Sequence, residues 1–242
     1  MRSTSRRRRY GSLSTSVWKY ASALGIATLS WACGSVLEPE TIADPEPVSW
    51  VLKDFLETPP VGLSMSSEPV LTDSPAGPAV LFDGEDDAFF LDSNPLQGLR
   101  TFTLEVVFLP ASDGPPEQRF LHFGFADGER VLLETRVTEE GRWCLDSFVQ
   151  KGDANKALID PELLHPADRW YHLAYVVDDG RLKNYVDGKL ELSAEIPFTP
   201  LEGGRTSIGV RLNRVFWFKG AIHSIRITPE ALESEEFTRP EL

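Results

Sequence analysis

The chain of 242 residues is poor in several residue types that carry chemistry. It has two cysteines, Cys33 and Cys144, and four histidines, His122, His165, His172 and His223. Two cysteines exclude a disulfide framework; they are read separately because Cys33 sits at the edge of a candidate targeting segment. No Cys-x-x-Cys occurs, and no two histidines stand at i, i+2 or i, i+4, so the usual zinc spacings are missing. A Gly-x-Ser-x-Gly nucleophile elbow is absent, as are the glycine motifs that cradle phosphate; Gly203-Gly204 reads only as a turn. Basic residues are scarce beyond the N-terminus. Six of the 24 fall within residues 1–33 and all 37 acidic residues come later, so the remainder has a formal charge of −19. A body of that sign repels nucleic acid and anionic lipid through its net field.

What is present first is a bipartite N-terminus. Arg6 to Arg9 form a positive cluster, and Ala21 to Ala32 an apolar run of twelve residues, far short of the roughly 20 a spanning helix needs. Together they read as an export signal over residues 1–33. Leu29-Ser30-Trp31-Ala32-Cys33 resembles a lipoprotein processing box, which makes Cys33 the candidate for lipidation and membrane attachment. Residues 34–47, rich in Pro, Glu and Asp, read as a flexible acidic linker.

Residues 48–242 read as one domain. Val48 to Leu63 suggests a strand or a short helical turn, and residues 64–78 a loop. From Ala79 onward short strands follow one another: 79–82, 88–91, 101–108, 120–125, 131–137, 143–149, 170–177, 182–186, 190–195, 206–210 and 221–227. Thr101 to Phe108 alternates, with Phe102, Leu104, Val106 and Phe108 on one face. Trp170 to Val177 is apolar on both faces, as a central strand covered on both sides would be. Asp179-Gly180 and Asp187-Gly188 are hairpin signals. Gln150 to Asp168 reads as a long loop, and Pro229 to Phe237 as a final helical turn capped by Thr228. Many short strands without a long helix predict an all-β fold, a two-sheet antiparallel β-sandwich.

Five stretches carry a resemblance: Leu81-Phe82-Asp83-Gly84 with Asp86-Asp87, Phe102 to Val106, Trp170 to Ala174 with its hairpin to Tyr185-Val186-Asp187-Gly188, Ser207-Ile208-Gly209, and Phe218 to Ile222. In this order they resemble the laminin G-like branch of the concanavalin A-like lectin/glucanase superfamily. The resemblance implies a jelly roll of some twelve to fourteen strands with one concave sheet. It also implies relatives that bind glycans, proteins or calcium, and others that cleave polysaccharides.

Three chemistries follow for testing. Glycoside hydrolysis needs two carboxylates about 5–9.5 Å apart on one cleft. The Glu-x-Asp-x-x-Glu strand motif of superfamily glucanases is missing, so the candidates are Glu105, Glu134 and Asp146 brought together from neighbouring strands. Calcium needs six to eight oxygens; Asp83, Glu85, Asp86 and Asp87 cluster at one turn, Asp178 and Asp179 at another, although acidic turns are common in hairpins. No cofactor is predicted beyond this candidate calcium. Glycan binding needs polar groups beside aromatic faces. Glu105, Glu134, Arg136, Asp146, Asn184 and Arg211 are the polar candidates. Trp217 is the outward ring of Phe216-Trp217-Phe218, most other aromatics being core fillers.

The expectation is a non-catalytic recognition domain for a carbohydrate or an extracellular protein, exported to the periplasm, outer membrane or cell surface. The alternatives are a polysaccharide hydrolase or lyase with an atypical carboxylate pair, and a structural scaffold.

Overall fold

The computed structural model describes residues 45–242. The export signal, Cys33 and residues 34–44 of the linker lie outside the described residues. Sixteen strands and one short helix follow in the order β1 (Val48–Val51), α1 (Lys53–Glu57), β2 (Leu63–Met65), β3 (Val70–Thr72), β4 (Ala79–Asp83), β5 (Phe89–Leu91), β6 (Thr101–Pro110), β7 (Glu117–Gly124), β8 (Arg130–Val137), β9 (Arg142–Lys151), β10 (Ala154–Ile159), β11 (His165–Pro166), β12 (Tyr171–Asp178), β13 (Arg181–Val186), β14 (Lys189–Glu195), β15 (Arg205–Ile208) and β16 (Lys219–Thr228). No helix among the described residues is long and apolar enough to cross a membrane.

The strands form two antiparallel eight-stranded sheets. Sheet A runs β14-β13-β12-β6-β16-β4-β3, with β1 also paired to β16; sheet B runs β10-β9-β8-β7-β15-β5-β2, with β11 also paired to β9. Alternation decides what lies between them. Phe102, Leu104, Val106 and Phe108 of β6 enter one core with Val131 and Leu133 of β8, Trp143 and Leu145 of β9, and Tyr171, Leu173, Tyr175 and Val177 of β12. Phe108 anchors its centre, 5.0 Å from Phe120 and 5.1 Å from Trp143 between ring centroids. The fold is the expected β-sandwich.

The local signals held where turn chemistry was strong. Asp179 and Gly180 have φ of 47° and 93°, and Asp187 and Gly188 of 49° and 75°. Two successive residues at positive φ make a type I′ turn, whose twist matches the strands it joins. These turns set β12, β13 and β14 in register. As expected, β12 is buried on both faces, except for its last residue, Asp178.

Four expectations are corrected. The segment 150–168 contains β10, an edge strand whose mostly exposed residues need no apolar alternation. Residues 64–78, expected as a loop, contain the end of β2 and all of β3, short strands paired with β5 and β4. The strands among the described residues number sixteen. Residues 229–237 are not helical. The C-terminal segment instead lies over the outer face of sheet A, tied by Thr103 Oγ1, which donates to the Glu230 carbonyl (2.7 Å) and accepts from Leu232 N–H (3.0 Å).

Candidate functional site

The two outer faces receive the polar residues that the core alternation leaves over. On sheet A, Glu105 and His172 come from adjacent strands and sit beneath the C-terminal segment. Glu105 Oε1 lies 3.1 Å from His172 Nε2 and accepts the Thr238 N–H at 2.6 Å. Phe237 closes the site, its ring 5.8 Å from His172 and 5.1 Å from Tyr185. Glu105 is only 3% exposed. It therefore does not join Glu134 and Asp146, as the sequence had suggested it could, because β6 belongs to sheet A and β8 and β9 to sheet B. Asn184 is corrected too. It points inward and is fully buried, donating to the Leu158 carbonyl of β10 and accepting from Leu192 N–H, so it ties the sheets together.

On sheet B the outer face is organised in cross-strand rows. The register places Glu117 opposite Arg136, and Arg136 opposite Cys144; Arg119, Glu134 and Asp146 form the next row; His122, Leu132, Phe148 and Ala157 the third; and Arg130 stands opposite Gln150 in the fourth. Directly opposite residues of unlike charge attract across a ladder. Arg136 exploits this on three sides. It donates to Asp146 Oδ2 through Nε (3.1 Å) and Nη2 (2.5 Å), reaches Glu134 Oε2 at 3.3 Å, and pairs with Glu117 at 2.7 Å. Arg119 Nε lies 3.0 Å from Glu134 Oε2, but its N–H does not aim at that oxygen, so the contact is an ion pair without a hydrogen bond.

Glu134 and Asp146 are each 3% exposed. Burial first, and then the charge of Asp146, push the Glu134 carboxyl up to about 7, against the opposing pull of Arg119 and Arg136. Burial pushes His122 down to about 3. Its Nε2 meets the Phe125 carbonyl at 3.1 Å, a contact that opposes the fall, while Arg211, Arg130 and Arg119 reinforce it. Burial also pushes the Cys144 thiol up to about 11.

Between these rows runs a furrow of about 160 Å³, lined by Arg119, Arg130, Glu134, Asp146, Phe148 and Arg211 among others. Several polar atoms there are buried without a protein partner: Arg119 Nε and Nη1, Arg130 Nε, Arg211 Nε and Asp146 Oδ1. An unsatisfied buried donor or acceptor costs about 1–3 kcal/mol. The furrow is thus built to accept groups that both donate and accept hydrogen bonds. A larger opening of about 430 Å³ lies beside the C-terminal segment, but His172 Nδ1 is the one buried polar side-chain atom lacking a partner among its lining residues.

The structure brings Glu134, Arg136, Asp146 and Arg211 together, and leaves Glu105 and Asn184 elsewhere. Trp217 is half-buried in a satellite cluster with Phe90 and Val210. The ring at the surface is Phe216, because Arg214 and Phe216 adopt φ of 60° and 62° and the segment turns rather than extends. Arg119 stacks on that ring at 3.7 Å. Glu117, Arg119, His122 and Arg130 were not anticipated. For Arg130 a signal existed, since it alternates with Glu134 and Arg136 on β8.

Asp83, Asp86 and Asp87 have carboxylate oxygens within 4.8 Å of one another. Asp83 Oδ1 accepts the backbone N–H groups of Glu85, Asp86 and Asp87; burial works to raise its pKa, and these three bonds hold it below its usual value. Asp87 accepts the Ser67 hydroxyl and the Asp83 N–H. The turn's own donors thus engage two of the three carboxylates. Asp178 and Asp179 stand apart at the β12–β13 turn, paired with Arg181 and Arg100.

Two antiparallel sheets packed as a sandwich define a lectin/glucanase-like fold. The chain belongs to the laminin G-like family of the concanavalin A-like lectin/glucanases superfamily, whose model matches residues 83–237. No curated protein sequence matches it significantly. Similar solved structures include domain 4 of AbnA, a GH43 extracellular arabinanase from Geobacillus stearothermophilus, in complex with arabinotriose, at 21% identity and TM-score 0.56, covering 72% of this chain and 85% of that one. The SAP-like pentraxin of Limulus polyphemus is similar at 18% identity and TM-score 0.52, covering 65% and 78%. The CBM40 of the Ruminococcus gnavus IT-sialidase, bound to α2,3 sialyllactose, is similar at 15% identity and TM-score 0.50, covering 70% and 94%. At these identities the likeness establishes the fold.

Proposed function

We propose that this protein is a non-catalytic recognition domain that binds carbohydrate in the furrow of sheet B. The observation that carries the reading is the set of buried, unpartnered donors and acceptors around that furrow. A sugar hydroxyl donates to Asp146 Oδ1 and accepts from the arginine N–H groups, which matches the atoms on offer. Stacking on Phe216 and Phe148 holds the planes of Arg119 and Arg130, 3.7 Å and 5.0 Å from the ring centroids, which limits the entropy lost when a ligand binds. That the similar solved structures include carbohydrate complexes is consistent with this reading. The test is a glycan array and calorimetry on the full chain, with and without calcium. Saturable binding that weakens at least tenfold in Asp146→Asn is expected; silence across the array sinks the reading.

A competing reading is cleavage of a polysaccharide by Glu134 and Asp146. Its support is the Glu134 carboxyl, pushed up to about 7, the range of a general acid. Against it, Arg136 engages both carboxylates, and they stand side by side in adjacent strands rather than across an open cleft. Release of reducing ends from the array's own ligand, abolished in Glu134→Gln, would favour the enzyme.

We also propose that residues 1–33 direct export and that Cys33 is lipidated, on the strength of the basic cluster, the apolar run and the cysteine that follows Ala32. A palmitate analogue is expected to label the wild type and not Cys33→Ala; labelling of neither rejects lipidation.

A further inference from the structure

The furrow has two unlike ends. At one, Arg136 and Arg119 are surrounded by Glu117, Glu134 and Asp146, so positive charge meets negative charge. At the other, Arg130 and Arg211 have no carboxylate partner among the described residues. Arg130 Nη1 donates to the Gly128 carbonyl and Arg211 Nη2 to the Ala126 carbonyl, both backbone groups of the β7–β8 turn. These bonds fix the two guanidinium groups and leave the Nε of each buried and unsatisfied. Leu132 and Phe148 form the apolar row between the two ends. On a strand, Arg130 and Glu134 are four residues apart, about 13 Å, so one ligand of a few sugar units spans both.

We infer that the Arg130–Arg211 end of the furrow is a subsite for an anionic substituent on the glycan, a carboxylate or a sulfate. This rests on the reading of the furrow as a carbohydrate site. Arginine is suited to it because its planar fork of donors matches the paired oxygens of both groups, and charge-assisted bonds are about twice as strong as neutral ones. The two guanidinium groups also face one another's charge, and no acid closes a salt bridge with either among the described residues. Burial lowers the pKa of Arg130, and Arg211 lowers it further, against the opposing pull of Asp127 and Glu134. The arginines likewise help to keep His122 uncharged, so the local field is positive inside a body of net negative charge. An arriving anion relieves that repulsion.

Calorimetry on the full chain tests this with matched pairs: an oligogalacturonate and its carboxyl-reduced form, and a sulfated oligosaccharide and its desulfated form. The acidic member of at least one pair is expected to bind about tenfold more tightly or better at low salt, since hydrogen bonds to a charged group contribute about 1.5–3 kcal/mol. Which pair shows the difference separates a carboxylate from a sulfate. Arg130→Gln and Arg211→Gln should bring the ratio toward one; Arg211→Lys, which keeps the charge and loses the fork, should leave an intermediate ratio. Circular dichroism and thermal melting confirm that each variant is folded. Equal binding within both pairs overturns the anionic subsite and leaves carbohydrate recognition standing. Binding of no glycan overturns both, and so does binding of an acidic peptide alone. A preference for the acidic member that survives in both glutamine variants assigns the anion elsewhere and overturns the subsite.

Discussion

The outer faces of the two sheets begin with the same materials and end differently. Sheet A presents Glu105, His172 and Tyr185, and sheet B presents Glu134, Arg136, Asp146 and Phe148. On sheet A the chain itself supplies the partners: Thr238 N–H bonds Glu105, and Phe237 covers His172 and Tyr185. On sheet B the 211–216 segment covers β7, where Leu212 N–H bonds His122 Nδ1 and Phe216 stacks on Arg119, and the furrow beside it keeps five buried polar atoms without partners. A carboxylate on a strand is thus neither structural nor functional by its type. What decides is what lies over it: Glu105 Oε2 and Asp146 Oδ1 both lack a hydrogen-bond partner, but Glu105 sits beneath the C-terminal segment that bonds its other oxygen, whereas Asp146 lines the furrow.

Breaking the covered part of sheet A should have the largest effect. Phe237 is 7% exposed and packs on His172 and Tyr185. Phe237→Ala is expected to cost about 3 kcal/mol in urea unfolding while leaving any glycan affinity of the folded protein unchanged. A loss of binding without a loss of stability would move the site to sheet A. On the open face, Arg136→Ala removes the group that neutralises two buried carboxylates. Because the Arg136 side chain is 31% exposed, the expected cost at neutral pH is about 2 kcal/mol, below that of a fully buried pair. An unchanged denaturation midpoint would show that the acids find compensation elsewhere.

The smallest effect is a pH slope. Burial and Asp146 push the Glu134 carboxyl up to about 7 from an ordinary 4.5. Between those values the folded protein holds a proton that the unfolded chain has released. Glu134 therefore contributes stability that is fully present below 4.5 and is lost as the pH rises through 7. Unfolding free energies measured across this window should fall with rising pH, and the slope should flatten in Glu134→Gln. An equal slope in the variant would assign the titration to another group.

The sequence disclosed what is local. Asp179-Gly180 and Asp187-Gly188 marked their hairpins because a type I′ turn requires positive φ at both positions, which those residues tolerate. The doubly apolar pattern of 170–177 placed β12 correctly. Sheet membership could not be read in the same way. Alternation assigns Glu105 and Glu134 to outward faces of their strands but does not say that β6 and β8 lie in different sheets. The lack of apolar alternation in 154–159 hid an edge strand. Arg119 beside Glu134 depends on a register that contains a bulge between Arg119 and Leu121. The C-terminal segment carried helix-start signals, yet its backbone bonds go to Thr103 and Glu105, more than a hundred residues earlier in the chain.

The strand order also bears on how the molecule assembles in time. Strands β7, β8, β9 and β10 pair with their sequence neighbours, so most of the furrow closes through short loops. Sheet A requires β1 to find β16 across nearly the whole domain and β6 to accept β12 and β16 on its two sides. Closing such loops costs more entropy and slows folding. Amides of β8 and β9 should therefore gain protection before those of β1 and β16 in pulsed hydrogen exchange during refolding, and simultaneous protection would show that the two sheets condense together. The furrow would then be among the first parts of the domain to acquire its shape.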